Sequence, residues 1–141
     1  MSQLIDVKFI KLGFLIGGIY DLLLGFGVIF FSDLLISIFG IVKPDNMIFV
    51  YISGLFLLLV GYFLLYACFH DVTNYLFIGF GSSIVRFAFA LIVILLWITE
   101  GVELSYVLIA CTDTVTGLFI FLPIIFNNGL TRKELWIKPS S

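Results

Sequence analysis

Four stretches of about twenty residues, almost free of charge, constrain this chain more than anything else in it. They cover residues 12–31, 48–69, 76–98 and 105–126. A bilayer's hydrocarbon core is about 30 Å thick, and a helix rising about 1.5 Å per residue crosses it in roughly 20 residues. Inside lipid, a lone segment satisfies its backbone donors and acceptors only as a helix. The expected fold is therefore all-α: a single integral membrane domain (1–141) forming a four-transmembrane-helix antiparallel bundle.

Composition supports lipid as the solvent. The chain has 141 residues, of which 62% are hydrophobic and 11% charged, with a mean hydropathy of +1.27. Soluble domains run at about 45–50% apolar and about 25% charged. A net charge of −2 supplies no basic field for nucleic acid.

The separators "VKPDN", "HDVTN", "TEGVE" and "NNGLTRKE" combine turn formers with charge. The second and third are short, which predicts that the last three spans are antiparallel neighbours. Between the first span and "VKPDN" lies "SDLLISIFG", with Ser32 able to start a helix and Gly40 able to end one. It is too short to cross a membrane. It reads as an interfacial helix over residues 32–40 on the outer leaflet, the alternative being an extension of the first span. Lys8 and Lys11 precede a run longer than a signal peptide's, and no A-x-A site follows, so the first span is expected to persist in the mature protein.

Lys8, Lys11, Arg132, Lys133 and Lys138 flank one side of the spans and Lys43 the other. The positive-inside rule then puts both termini in the cytoplasm. Trp97 and Trp136 fall near opposite interfaces. The tail 127–141 holds "TRKELWIK", a T-x-x-E pattern that suggests a short helix on the inner leaflet or a docking segment for a partner.

Three spans carry one charge each: Asp21 in "GGIYDLLLGFG", Arg86 in "GSSIVRFAFA" and Asp113 in "YVLIACTDTVTGLFIF". Each lies roughly 12–15 Å from its own span end, so all three reach the midplane. Their faces are small-residue faces: Gly13, Gly17, Asp21 and Gly25; Gly79, Ser82, Ser83, Arg86 and Ala90; Ala110, Asp113 and Gly117. Small residues mark where membrane helices approach closely. An unpaired charge at a helix centre costs about 2.5–3.5 kcal/mol. Arg86, which keeps its proton, is expected to bridge Asp21 and Asp113 through two edges of its guanidinium. One negative charge is left over, to be met by a proton or by water.

Tyr20, Tyr62, Tyr66, Thr112 and Thr116 are candidate hydroxyl contacts to this network or its ligand. Ser82 and Ser83 either join it or bond back to their own helix. The network itself reads as a device fixing helix register, or as a proton relay, ligand anchor or transport site.

The sequence names no cofactor. His70, at the end of the second span, has no second histidine to complete a haem site. Cys68 and Cys111 differ by about 20 Å in depth, beyond disulfide reach, and read as small core residues. Phosphate-loop, zincin and nucleophile-elbow patterns are missing. No residue is assigned a catalytic or metal-binding role. The 17 phenylalanines fit a lipid-facing surface.

The stretches "IYDLLLGFGVIFFSDLLISIFG", "GLFLLLVGYFLLYACFHD", "GFGSSIVRF" and "CTDTVTGLFIFLP" resemble small bacterial four-helix membrane proteins similar to the DoxX-like group. Tyr20 matches the tyrosine of the first helix, with Asp21 where asparagine is expected. Gly61 and Tyr62 match the Gly-Tyr pair of the second. Arg86 replaces lysine in the third, and Asp113 matches the aspartate of the fourth, with Thr112 replacing asparagine. A His-Trp pair expected after the second helix is replaced by Asn74 and Tyr75. The resemblance implies a four-helix bundle with a partly polar centre in a bacterial inner membrane, and some DoxX-like proteins are linked to quinone-reducing or redox complexes.

Three function classes follow. The first is a non-enzymatic accessory or structural subunit of a larger membrane complex or homo-oligomer, its helices locked by Asp21, Arg86 and Asp113. The second is a quinone- or lipid-binding subunit of a membrane oxidoreductase. The third is a small proton or ion transporter or channel.

Overall fold

The computed structural model of the chain describes residues 2–126, with side chains from residue 7 onward. Among the described residues five α-helices follow one another: α1 (Ser2–Phe30), α2 (Ser32–Phe39), α3 (Ile48–Phe69), α4 (Leu76–Glu100) and α5 (Leu104–Ile125), with a 3₁₀ turn at Val72–Tyr75 before α4. There is no strand among the described residues. The fold is an all-α bundle, and α1, α3, α4 and α5 are each long and apolar enough to cross a membrane. Apolar side chains such as Leu23, Phe49, Phe69 and Ile98 cover its outer surface. That is the build of a multi-pass membrane protein, because an apolar surface so extensive has no stable place in water.

The first helix starts at Ser2, well ahead of residue 12. A hydropathy window marks the part that tolerates lipid, whereas "SQLIDVKFIK" holds no glycine or proline to stop the helix earlier. At the other end Phe31 leaves helical geometry (φ −130°, ψ 30°), so α2 is a separate helix. It ends at Gly40, whose left-handed φ of 64° lets Ile41 N–H reach the Ile36 carbonyl at 3.0 Å and Gly40 N–H reach that of Ser37 at 3.3 Å. Eight residues cannot span a bilayer. Lys43 donates to Asp33 at 2.7 Å, tying the following loop back to α2. That hydrogen bond, and then the charge of Asp33, hold the Lys43 ammonium above the ordinary lysine range. The tail 127–141, with Trp136 and the "TRKELWIK" pattern, lies outside the described residues.

The spans form two antiparallel pairs, α1 with α3 and α4 with α5, joined where α1 meets α5. The α3–α4 contact is sparse, which corrects the expectation that a short connection makes these two helices packed neighbours. The connection only joins their ends: Asp71 takes hydrogen bonds from Thr73 N, Thr73 Oγ1 and Asn74 Nδ2 and turns the chain. Backbone approach decides which helices pack. A β-carbon on Gly61 would lie 2.9 Å from the Gly18 carbonyl oxygen, and one on Gly25 would lie 2.8 Å from that of Gly54. Gly18 and Gly25, like Gly54 and Gly61, are seven residues apart, so they pair in antiparallel register. Close van der Waals fit of this kind drives helix association where lipid is as apolar as the side chains.

The interior has three layers. Ile10, Phe14, Leu64, Ala67, Cys68, Val72, Leu76, Ile120 and Ile124 form one apolar core at the end that carries the 3₁₀ turn. Ala90, Val93 and Ala110 form a smaller one toward the other end. Between these apolar groups, buried Asp21, Ser83 and Arg86 make a polar layer.

Candidate functional site

Asp21 reaches the interior because α1 presses on α3. A β-carbon on Gly61 would lie 3.0 Å from the Asp21 Cβ, so only glycine leaves room for that carboxylate's stem. Asp21 is 0% exposed. Arg86 approaches from α4 across the bundle. Its stem runs beside Gly117 of α5, where an added β-carbon would meet Arg86 Cδ at 3.4 Å. Ser83 fastens these two helices, its one hydroxyl hydrogen shared between the Gly79 carbonyl at 2.9 Å and the Gly117 carbonyl at 3.2 Å.

The guanidinium, 5% exposed, joins three helices. Nη2 donates to Asp21 Oδ1 at 2.5 Å, and Nη1 to Asp113 Oδ1 at 2.6 Å. Nε donates to Ser82 Oγ at 3.4 Å, a long bond. The Tyr20 ring lies 5.5 Å from Arg86 Cζ, within cation–π range. The Tyr20 hydroxyl and Thr112 Oγ1 are 3.1 Å apart, and Thr112 also donates to the Ile109 carbonyl at 2.8 Å. Either hydroxyl can donate in the Tyr20–Thr112 hydrogen bond. Tyr20 thus links α1 to α5 beside the ion network.

The remaining candidates do not join it. Thr116 bonds back to the Thr112 carbonyl at 2.9 Å. Tyr62 is 57% exposed and makes ring contacts with Phe63 and Tyr66. Tyr66 is 37% exposed, stacked on His70 at 4.0 Å and edge-on to Tyr75. Successive helical residues point about 100° apart. Gly61 faces α1, so Tyr62 faces outward. Cys68 is a core residue, whereas Cys111 is exposed on the outer surface, and both thiols are free. The glycine stripe of α1 also divides: Gly13 and Gly17 face α5, and Gly25 faces α3. Gly18 and Gly54 were not anticipated from the sequence, although the matching seven-residue spacing was legible there.

The sparse α3–α4 contact leaves a cleft of about 250 Å³. Phe56, Val60 and Phe63 of α3 form one wall, and Ile78, Ser82 and Val85 of α4 the other. Asp21, Arg86 and Asp113 line its depth. Its mouth lies on the outer surface, where Phe56, Phe63 and Val85 are exposed. Asp21 Oδ2 is buried and has no hydrogen-bonding protein partner. Glu103 Oε2 is in the same condition at the start of α5, where Oε1 accepts from Val42 N at 3.3 Å. No cluster of His, Cys, Asp and Glu able to hold a metal occurs among the described residues.

The arrangement is an ion network of formal charge −1 at the bottom of an apolar cleft. Opposite charges compensate one another's desolvation only when geometry and hydrogen bonding are good, and removing one partner from such a pair costs about 3–5 kcal/mol. Compared with models of protein families, with curated proteins and with solved structures, the chain matches none.

Proposed function

We propose that the chain is a non-enzymatic accessory or structural protein of a membrane, in which the Asp21–Arg86–Asp113 network holds the α1/α3 pair in register with the α4/α5 pair. One observation carries this reading: a single guanidinium bonds carboxylates on two other helices. The flanking Lys8 and Lys11 favour a cytoplasmic N-terminus by the positive-inside rule, and the resemblance to small bacterial membrane proteins favours a bacterial inner membrane. The likeness of Tyr20, Gly61, Tyr62, Arg86 and Asp113 to DoxX-like proteins supports kinship of build with that group. The test is thermal unfolding in detergent. Arg86→Leu should destabilise by about 3–5 kcal/mol, while Leu at positions 21, 86 and 113 together should recover much of that loss. Equal losses in both variants overturn the locking role.

The cleft favours a second reading, in which the protein binds a small molecule drawn from the lipid. Ligand sites are concave and mainly apolar, with a few placed polar groups. The α3–α4 cleft has that composition and faces the bilayer's side of the bundle.

A further inference from the structure

Locking the helices uses Oδ1 of Asp21 and Oδ1 of Asp113. It leaves Asp21 Oδ2 over: buried, without a protein partner, on a side chain that lines the cleft. A buried acceptor left unsatisfied is costly, and most so when charged. We propose that the α3–α4 cleft takes a single-chain amphiphile whose head is a hydrogen-bond donor, an alcohol or an amine, which bonds Asp21 Oδ2 while its chain lies between Phe56 and Val85. This rests on the ligand-binding reading above and adds the head-group chemistry to it.

Charge and shape select this class. Two carboxylates already surround one guanidinium, so a third anion, such as a fatty acid headgroup, meets net repulsion in a medium that screens poorly. A donor head, neutral or cationic, meets none. The walls offer Phe, Val and Ile surface to the chain, with Ser82 as their polar residue. A volume of about 250 Å³ suits one chain and excludes a two-chain phospholipid's bulk. The opening lies at the side of the bundle, so the ligand arrives from the bilayer along its own chain.

Gly81 provides a clean way to close the site. It lines the cleft, and a β-carbon there meets nothing within 4 Å. Gly81→Phe should therefore fill the cleft without disturbing helix packing, and replacing a mid-helix glycine does not weaken the helix.

The experiment uses the full chain in lipid nanodiscs with three ten-carbon probes, an alcohol, an amine and a sulfonic acid, which stays ionised, each with a photoreactive tail. Labelled peptides are mapped by mass spectrometry. The alcohol and amine should label α3 and α4 at the cleft about tenfold or more above the acid, the ratio set by one hydrogen bond to a charged group. Gly81→Phe should abolish that labelling with an unfolding temperature no lower than that of the native protein. Asp21→Asn turns Oδ2 into an amide donor and makes the network neutral, so it should erase the preference for donor heads and raise labelling by the acid. Labelling spread evenly over the outer helix faces, unaffected by Gly81→Phe, overturns the binding site itself. Cleft labelling that is blocked by Gly81→Phe but equal for all three heads leaves the site standing and overturns the donor assignment. Either outcome can be read even if Asp21→Asn does not fold.

Discussion

Gly13 of α1 lies against the backbone carbonyl of Phe119 in α5, so closely that a β-carbon there would sit 2.5 Å from the oxygen. That carbonyl is the one Pro123 leaves without its helical hydrogen bond, because proline has no amide hydrogen to donate four residues on. A freed carbonyl inside lipid needs another partner. Only a residue without a side chain can come this near to it.

Gly13→Leu should therefore separate α1 from α5 near the larger apolar core. Overpacking of this kind costs about 1–3 kcal/mol. Thermal unfolding of the detergent-solubilised protein checks it. An unchanged midpoint means that the α1–α5 contact does not depend on this glycine.

Gly61 and Gly81 are both mid-helix glycines with opposite expected responses. Gly61→Ala meets the Gly18 carbonyl at 2.9 Å and the Asp21 stem at 3.0 Å, so it should destabilise by about 1–3 kcal/mol. Gly81→Ala meets nothing and should stabilise by about 0.5–1 kcal/mol through helix propensity. The difference between the two unfolding midpoints is the measurement; shifts of the same sign contradict the packing described for α1 and α3.

Arg86→Lys keeps the charge and loses the geometry. One ammonium cannot reproduce two separated nitrogens that bond Asp21 and Asp113 on opposite helices. One carboxylate loses its charge-assisted bond, at about 1.5–3 kcal/mol. A lysine variant as stable as the native protein would mean that charge alone holds the network.

The polar layer was legible in the sequence because depth in a membrane helix is a local quantity. Counting residues from the ends of the spans places Asp21, Arg86 and Asp113 at one level, and a guanidinium among carboxylates has few alternatives in lipid. The outward placement of Tyr62 and Tyr66 was not legible. Tyr62 sits at the level of the layer, but its rotation around α3 is set by Gly61 pressing on Gly18, and Tyr66 lies nearer the 3₁₀ turn, stacked on His70.

The amino-acid sequence by itself determined that this protein has four membrane-capable helices, a short fifth after the first, and three charges at a common depth. Each follows from helical rise, apolar run length and the need of every peptide group for a partner, and these act within one segment. Tertiary structure alone decided that α1 pairs with α3, that α3 and α4 stand apart, and that a cleft between them reaches Asp21. Those outcomes depend on how two backbones fit against each other. In an apolar solvent no face of an apolar helix is driven inward by hydrophobicity, so steric fit at a few small residues chooses the partners.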